Sequence, residues 1–194
     1  MDNHALSPQV LTRAYSQGFF PMPSAATGEI QWYKPDPRAI LDFDKFKVSR
    51  SLKKIINKEI FKISYSENFS DIMRLCSMRQ ETWITEDFIK SYTLMHKIGA
   101  AHSVEVWLDN EIVGGVYGIS LGGAFFAESM FFKVSNASKV ALYYLIEKLK
   151  QNNFILLECQ FMTDHIKSLG AEEISDEKYQ TILNKAIQLD VFFH

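Results

Sequence analysis

Cysteine, glycine and proline are scarce in this 194-residue chain, and long apolar runs are missing. The two cysteines, Cys76 and Cys159, allow at most one disulfide and lack the Cys-x-x-Cys spacing of a metal site. The five histidines show no metal-ligand spacing either, so we expect no metal and no other cofactor. No run approaches the roughly 20 apolar residues of a membrane-spanning helix, and the N-terminus does not resemble a signal peptide. The sequence therefore predicts a soluble protein of the reducing cytoplasm, with no membrane partner. We expect it to be a monomer.

The overall composition is that of an ordinary globular protein, with 47% hydrophobic and 23% charged residues. The length suffices for one substantial core, or for one domain with a small appendage. Gly114, Gly115 and Gly118 lie inside a strand pattern and do not form a phosphate-binding loop. They instead permit close approach of another backbone, or leave space for a ligand.

Positive charge is concentrated near the N-terminus, although the net charge is −2. Residues 1–62 carry ten Lys or Arg against six Asp or Glu. The basic residues cluster around Arg50, Lys53 and Lys54. One interpretation is a solvated helix face, because clustered charges usually lie on the protein surface. The other is an electrostatic patch for a polyanion such as a nucleic acid.

Helix and strand signals alternate along the chain. Capping residues and apolar spacing predict helices over residues 7–18, 49–58, 85–99, 136–151, 163–170 and 175–189. Alternating or continuous apolar residues predict strands over residues 60–65, 102–109, 112–120, 124–131 and 154–160. The prolines of Phe19–Pro23 and Lys34–Pro37 should break regular structure, and a soft boundary is placed near Pro35–Pro37. These elements predict an α/β fold, with a mixed sheet covered by helices.

The strand Phe154–Gln160 carries the most chemically suggestive pattern. Glu158 and Gln160 share one face of this otherwise apolar strand, and Cys159 points to the other face. A buried acid and amide are costly unless they are paired or used. One interpretation is a structural hydrogen bond to a nearby loop, for example from Thr163. The other is a site in which Glu158 acts as base or relay and Gln160 contacts a nucleophile.

The other candidates are less specific. Cys159 should point into the core and behave as a small hydrophobe, so we do not expect a cysteine nucleophile. Trp83 precedes a helix N-terminus, where it either packs against the core or stacks on a nucleobase. Glu128 lies in an apolar strand and needs a partner, which could be Lys139 or a cationic substrate group.

Several long strings resemble one known family closely. The segments AYSQGFFPM, WYKPDPRAIL, TWIT, GAAHSVEVW, GGVYGIS, ESMF, NASKVAL, CQF and DHIKSLGA have the order and spacing of leucyl/phenylalanyl-tRNA–protein transferases. The resemblance runs from about Ser7 to about Ala171. It implies a GNAT-like (N-acetyltransferase-like) catalytic domain, residues 37–194, behind a shortened N-terminal domain, residues 1–36. The turn Lys133–Ala137 lacks the glycines with which acetyl-CoA enzymes bind pyrophosphate, so acetyl-CoA is a poor candidate.

The resemblance also implies an activity and a set of roles. The donor would be aminoacyl-tRNA carrying Leu, Phe or Met, and the acceptor a protein with N-terminal Arg or Lys, which the transfer marks for degradation. Gln160 would contact the acceptor's α-amino group, with Glu158 helping to activate it. Trp83 would stack near the terminal adenosine, and Glu128 would hold a cationic amine or guanidinium. The pocket for the donor side chain would be lined by Val116, Phe125, Met130, Leu142, Leu145 and Leu157.

Three positions depart from the family pattern. Met22 replaces a tryptophan expected to help hold the adenosine, and Glu158 replaces an aspartate. Phe132 replaces a serine. Two alternatives to the family's activity are an aminoacyl-tRNA-dependent transferase with another acceptor, and a non-catalytic relative that binds tRNA ends or basic N-termini.

Overall fold

The computed structural model describes residues 4–24, 26–78 and 82–193. A 3₁₀ turn at His4–Leu6 precedes the helices α1 (Pro8–Ser16), α2 (Arg50–Asn57), α3 (Phe69–Ser77), α4 (Glu86–Lys97), α5 (Ala137–Gln151), α6 (Asp164–Ser168) and α7 (Asp176–Ala186). The strands are β1 (Phe20–Pro23), β2 (Ile30–Tyr33), β3 (Arg38–Ile40), β4 (Lys62–Tyr65), β5 (Ala101–Leu108), β6 (Glu111–Leu121), β7 (Ala124–Phe132), β8 (Leu156–Gln160) and β9 (Glu172–Ile174). None of the described helices combines the length and apolarity needed to cross a membrane.

A mixed sheet organises the described part of the chain. Seven of its strands lie in the order β4-β5-β6-β7-β8-β3-β9, and β1 and β2 form a separate antiparallel pair. Neighbours in the large sheet are antiparallel, except that β7 and β8 are parallel. The helices cover both faces, and each face has its own apolar core. α2 and α5 pack on one face through residues such as Leu52 and Leu145. α1, α3, α4 and α7 cover the other.

The parallel pairing of β7 and β8 ends after a short stretch, and the candidate site lies where these two strands separate. β7 and β8 pair only from Ala124 opposite Leu156 to Phe126 opposite Glu158. Beyond that point β7 stays paired with β6, whereas β8 pairs with β3. β7 has a bulge at this point: Gly118 of β6 pairs with Ala127, whereas the preceding Tyr117 pairs with Ser129. The extra residue is Glu128, which a bulge re-aims away from the regular strand alternation.

Most of the predicted elements are confirmed. α1 begins where expected because the Ser7 hydroxyl accepts from the Val10 N–H and Pro8 occupies the first turn. The expected meander is β5-β6-β7, and the mixed α/β class is confirmed. The expectation that Phe19–Pro23 breaks regular structure is wrong. Pro21 and Pro23 are accommodated because β1 belongs to a two-stranded sheet, whose strands are all edges.

Candidate active site

A cavity of about 660 Å³ lies where β7 and β8 separate. Its wall is mainly apolar and is formed by β7, the end of β8, the first turns of α5 and α6, and the segment before α4. Six of the residues predicted from the sequence line it, namely Trp83, Val116, Glu128, Met130, Leu142 and Gln160. An apolar pocket with two adjacent polar side chains is the usual form of a small-ligand site.

Three other predicted pocket residues lie behind this wall. Phe125, Leu145 and Leu157 are at most 1% exposed and belong to the apolar core beneath α5. They support the side chains of the cavity wall without lining it.

Glu128 is the centre of the polar group in the cavity. Its Oε1 accepts a hydrogen bond from the Tyr15 hydroxyl at 2.6 Å and one from Gln160 Nε2 at 3.3 Å. The Tyr15 and Tyr92 hydroxyl oxygens are in turn 2.6 Å apart. An ion pair with Lys139, one of the two partners considered for Glu128, does not form among the described residues, where Tyr15 and Gln160 are its partners.

The surroundings of Glu128 make it an unusually weak acid. Burial raises the pKa of Glu128 to about 8, against the lowering effect of the Tyr15 hydrogen bond. The nearby negative charge of Glu158 raises the pKa further. A carboxyl group of this kind exchanges protons near neutral pH, where an acid–base catalyst is most effective.

Gln160 reaches Glu128 because of its own backbone conformation. It ends β8 with a positive φ of 57°, which turns the chain out of the strand. Its side-chain nitrogen is committed to Glu128, so the amide oxygen can accept a hydrogen bond from a ligand.

Glu158 lies in a separate, buried network. It is 1% exposed and is outside the cavity lining. One oxygen accepts from Arg38 Nη1 and the other from the Tyr179 hydroxyl. Arg38 Nη2 also donates to the Gly18 carbonyl at 2.7 Å. Glu158 therefore ties β8 to β3, α7 and the end of α1, and the structure does not bring it to the cavity as a base.

Cys159 does not lie where the sequence predicted. It is half-buried on the cavity wall, whereas the sequence predicted a core position. Burial, with the charge of Glu158, raises the pKa of Cys159 to about 12. The thiol is therefore protonated at neutral pH and is a poor nucleophile.

The remaining predicted residues lie outside the cavity. Met22 is half-buried in β1 and packs against the core on the α1 side. Arg50, Lys53 and Lys54 are exposed on α2, which is anchored by Leu52.

Trp83 packs as one interpretation expected, and its stacking on a nucleobase stays a prediction. It packs edge-on against Phe88, with ring centroids 5.2 Å apart, and also presents part of its surface to the cavity.

Sequence reasoning missed four residues that hold these networks together: Tyr15, Arg38, Tyr92 and Tyr179. Two of them, Tyr15 and Arg38, occur inside the strings AYSQGFFPM and WYKPDPRAIL. The strings marked them as part of a pattern, but nothing local indicated their partners on distant strands.

Solved structures of similar fold support the mixed α/β class. The structure of FemX superposes with a TM-score of 0.52 at 10% identity, covering 91% of this chain and 71% of FemX. A conserved protein of unknown function from Bacteroides thetaiotaomicron gives a TM-score of 0.51 at 9% identity, covering 92% of this chain and 64% of that one. At these identities the likeness concerns the fold alone.

Sequence comparisons define the family. The family model of leucyl/phenylalanyl-tRNA protein transferase matches residues 40–184, and the model of its N-terminal domain matches residues 4–36. A leucyl/phenylalanyl-tRNA–protein transferase of Gloeobacter violaceus is 46% identical over 188 residues, covering 97% of each chain. That of Herpetosiphon aurantiacus is 48% identical over 189 residues, covering 97% of this chain and 98% of its own. The chain belongs to the leucyl/phenylalanyl-tRNA–protein transferase family, and is an aminoacyltransferase.

Proposed function

We propose that the protein transfers Leu, Phe or Met from aminoacyl-tRNA to the α-amino group of proteins that begin with Arg or Lys, which marks them for degradation. The observation that carries the proposal is the contact between Glu128 and Gln160 at the polar end of an apolar cavity. The protein would act as a cytoplasmic monomer, with residues 1–36 as a small N-terminal domain.

The apolar wall suits the donor side chain. Val116, Met130 and Leu142 offer a surface that fits Leu, Phe or Met, and it excludes charged side chains because they would lose their hydration. Trp83 on the same wall would stack on the terminal adenine of the donor. The aminoacyl ester then lies between this surface and the polar pair.

The polar pair suits the acceptor. An α-ammonium group ordinarily has a pKa near 8, and it must lose a proton before its nitrogen can attack. Glu128, with its pKa of about 8, can hold the ammonium and accept that proton. Gln160 would orient the amine through its free amide oxygen.

Bond changes then follow from these positions. The amine nitrogen bonds to the ester carbonyl carbon, and the bond from that carbon to the ribose oxygen breaks. The nitrogen gives up two protons in becoming the amide: one passes through Glu128 to the ribose oxygen, which returns the carboxylate to its starting state, and the other is released to solvent. In this scheme Glu158 is a positioning residue, which holds β8 and therefore Gln160 through Arg38 and Tyr179.

The basic face of α2 would contact the body of the tRNA. Arg50, Lys53 and Lys54 make none of the ion pairs formed among the described residues, so their charges are available to phosphates. Changing Lys53 and Lys54 to Glu should weaken tRNA binding and reduce its salt dependence. Unchanged binding in this variant would show that the basic face is only solvated.

The direct test uses labelled Leu-tRNA with peptides that begin with Arg, Lys or Ala. Transfer to the Arg and Lys peptides but not to the Ala peptide is expected. Absence of transfer to all three, with tRNA binding intact, would contradict the proposal and favour a non-catalytic binder. The variant Gln160→Ala should lose transfer and retain tRNA affinity, and an unchanged rate would remove Gln160 from the mechanism.

A further inference from the structure

The N-terminus of α5 faces the cavity, and its N-cap residue gives it no side-chain cap. Asn136 occupies the N-cap position with a left-handed φ of 69°, and its side chain makes no capping hydrogen bond. That side chain donates instead to the Ser135 hydroxyl at 3.2 Å. The first turn of this 15-residue helix contains no acidic residue. The first N–H groups of a helix lack intrahelical partners and carry partial positive charge, so this helix end favours an anion.

Ser138 supplies an independent sign of a ligand. It lies in the first turn of α5, is only 4% exposed, and lines the cavity. Its hydroxyl has no hydrogen-bond partner within the part of the chain that the structure describes. This oxygen is not among the fully buried, unpartnered atoms of the described residues, so it is open to the cavity and can donate its hydrogen bond to a ligand there.

Cationic side chains surround the same point. Lys133 lines the cavity and Lys139 follows Ser138 in the helix, and neither takes part in an ion pair of the described residues. His165 lines the cavity from α6. Burial, with the charge of Lys139, lowers the pKa of His165, so it faces the site as a neutral imidazole. A helix N-terminus, a free hydroxyl and two unpaired ammonium groups together suit a phosphate.

We propose that the α5 N-terminus, with Lys133, Ser138 and Lys139, binds a phosphate group of the 3′ strand of the aminoacyl-tRNA donor. This inference rests on the proposed function, because it places the donor's ester in the same cavity. The phosphodiester that precedes the terminal adenosine is the anion of the donor nearest to that ester. A pyrophosphate of a coenzyme A thioester has the same chemistry, but the turn at Lys133–Ala137 lacks the glycines that would wrap around it.

Two donors, one without phosphate and one with it, separate this site from the rest of the cavity. One is leucyl-adenosine, which has no phosphate, and the other is a leucylated oligonucleotide that ends in CCA. Transfer of Leu to an Arg-peptide is measured as kcat/KM at several salt concentrations. The variants are Ser138→Ala and the double variant Lys133→Gln/Lys139→Gln. The control is Lys185→Gln, because α7 adjoins the opposite end of β7, where Ala186 O accepts from the Gly123 N–H.

We expect the double variant to lose about tenfold or more in kcat/KM with the oligonucleotide at low salt. The slope of log kcat/KM against the logarithm of the salt concentration should become shallower by about 0.7 for each phosphate that the variant no longer binds. Ser138→Ala should lose about tenfold or more with the oligonucleotide, since it removes a hydrogen bond to a charged group. With leucyl-adenosine both variants should stay within about twofold of the wild type, as should the Lys185→Gln control with either donor.

Three results would overturn the proposal. Equal losses with both donors would place these residues in the general architecture of the cavity, and unchanged kcat/KM with both would remove them from binding. Inhibition by coenzyme A that Ser138→Ala abolishes, with oligonucleotide transfer unchanged, would assign the site to a coenzyme. Failure of the wild type with both donors would instead contradict the proposed function itself, so the two failures are distinguishable.

A further variant distinguishes loss of phosphate binding from loss of folding. Asn136→Asp places a negative charge at the helix N-terminus, which should maintain or raise the melting temperature. The same charge should repel the phosphate and lower kcat/KM for the oligonucleotide about tenfold, with leucyl-adenosine unaffected. Unchanged use of the oligonucleotide by this variant would count against a phosphate at α5.

Discussion

Tyr15 and Glu128 are 113 residues apart in the sequence, yet the Tyr15 hydroxyl donates a 2.6 Å hydrogen bond to the Glu128 carboxylate. α1 thereby reaches the chemistry of a cavity built from β7 and β8. The contact also determines part of the acidity of Glu128, because this hydrogen bond opposes the effect of burial on its pKa.

Replacing Tyr15 with Phe should move the pH profile of transfer to higher pH. The hydrogen bond from Tyr15 lowers the pKa of Glu128 in the wild type, so its removal raises that pKa. A base acts in its ionised form, and each additional pKa unit reduces the ionised fraction at pH 7 about tenfold. We therefore expect a clear loss of kcat/KM at pH 7 and recovery toward the wild-type value at pH 9.

The control for this prediction is Tyr33→Phe, which removes an exposed hydroxyl bonded to Gln31 in the β1–β2 hairpin. Its pH profile should match that of the wild type. A uniform loss of rate at all pH values in Tyr15→Phe would assign Tyr15 to packing, not to the acidity of Glu128.

Replacing Glu128 with Gln should abolish most activity while making the protein more stable at high pH. The folded-state pKa of about 8 lies above the ordinary value of 4.5, so the folded protein binds this proton more tightly than the unfolded chain does. The stability that results is present below pH 4.5 and is lost as pH rises toward 8. At pH 8 the variant should therefore exceed the wild type in unfolding free energy by on the order of 2 kcal/mol, or about 4–8 °C in Tm.

Thermal unfolding at pH 5 and pH 8 tests this prediction. The difference between the two proteins should be much smaller at pH 5, where the carboxyl group is largely protonated in the folded state. Transfer should fall about 10²- to 10⁴-fold, the usual contribution of a general base. A variant less stable than the wild type at pH 8 would show that Glu128 is ionised and favourably bound in the folded protein.

The sequence predicted the elements of this site better than their connections. The bounds of α1, α4 and the meander followed from local signals, such as the Ser7 cap and the glycines at 18 and 99, whose φ values are positive. α3 was not predicted, although Asn68 occupies its N-cap position. The short strands β3 and β9 were missed because three residues carry too little pattern to predict pairing with a distant strand.

Glu158 shows how far the candidate site could be predicted from the sequence. Strand alternation correctly separated it from Cys159 but wrongly grouped it with Gln160, which lines the cavity beside Cys159 because of its positive φ. The polarity of Glu158 correctly indicated that it needs a partner. Which partner it finds depends on β3 entering the sheet beside β8, with Arg38 lying 120 residues earlier in the chain. Sequence spacing cannot supply that relationship, and it changes Glu158 from an expected base into a buried ion pair.

Breaking this ion pair should destabilise the protein strongly. Arg38 and Glu158 are both at most 1% exposed, and Arg38 also lies over the Tyr179 ring, 4.4 Å from its centroid. Arg38→Met would leave a buried carboxylate without its cation, at a cost of about 3–5 kcal/mol. The measurement is urea unfolding at pH 7, with Lys34→Met as the control because Lys34 forms a partly exposed pair with Asp176.

The control should lose less than about 1 kcal/mol. The double variant Arg38→Met/Glu158→Gln should recover part of the lost stability, since it removes the unpaired charge. An Arg38→Met protein as stable as the control would mean that the pair is solvated, contrary to its burial.

Donor preference should respond to the size of the residue at position 130. Met130 lines the cavity wall, and Met130→Phe would place a bulkier, more rigid ring there. We expect the ratio of kcat/KM for Phe-tRNA to that for Leu-tRNA to fall about tenfold or more, because a poorer fit of one ring is worth about 1–3 kcal/mol. Met130→Leu nearly conserves volume and should keep the wild-type ratio. A ratio unchanged in Met130→Phe, with both proteins folded, would place the donor side chain against a different wall, such as that formed by Val116 and Leu142.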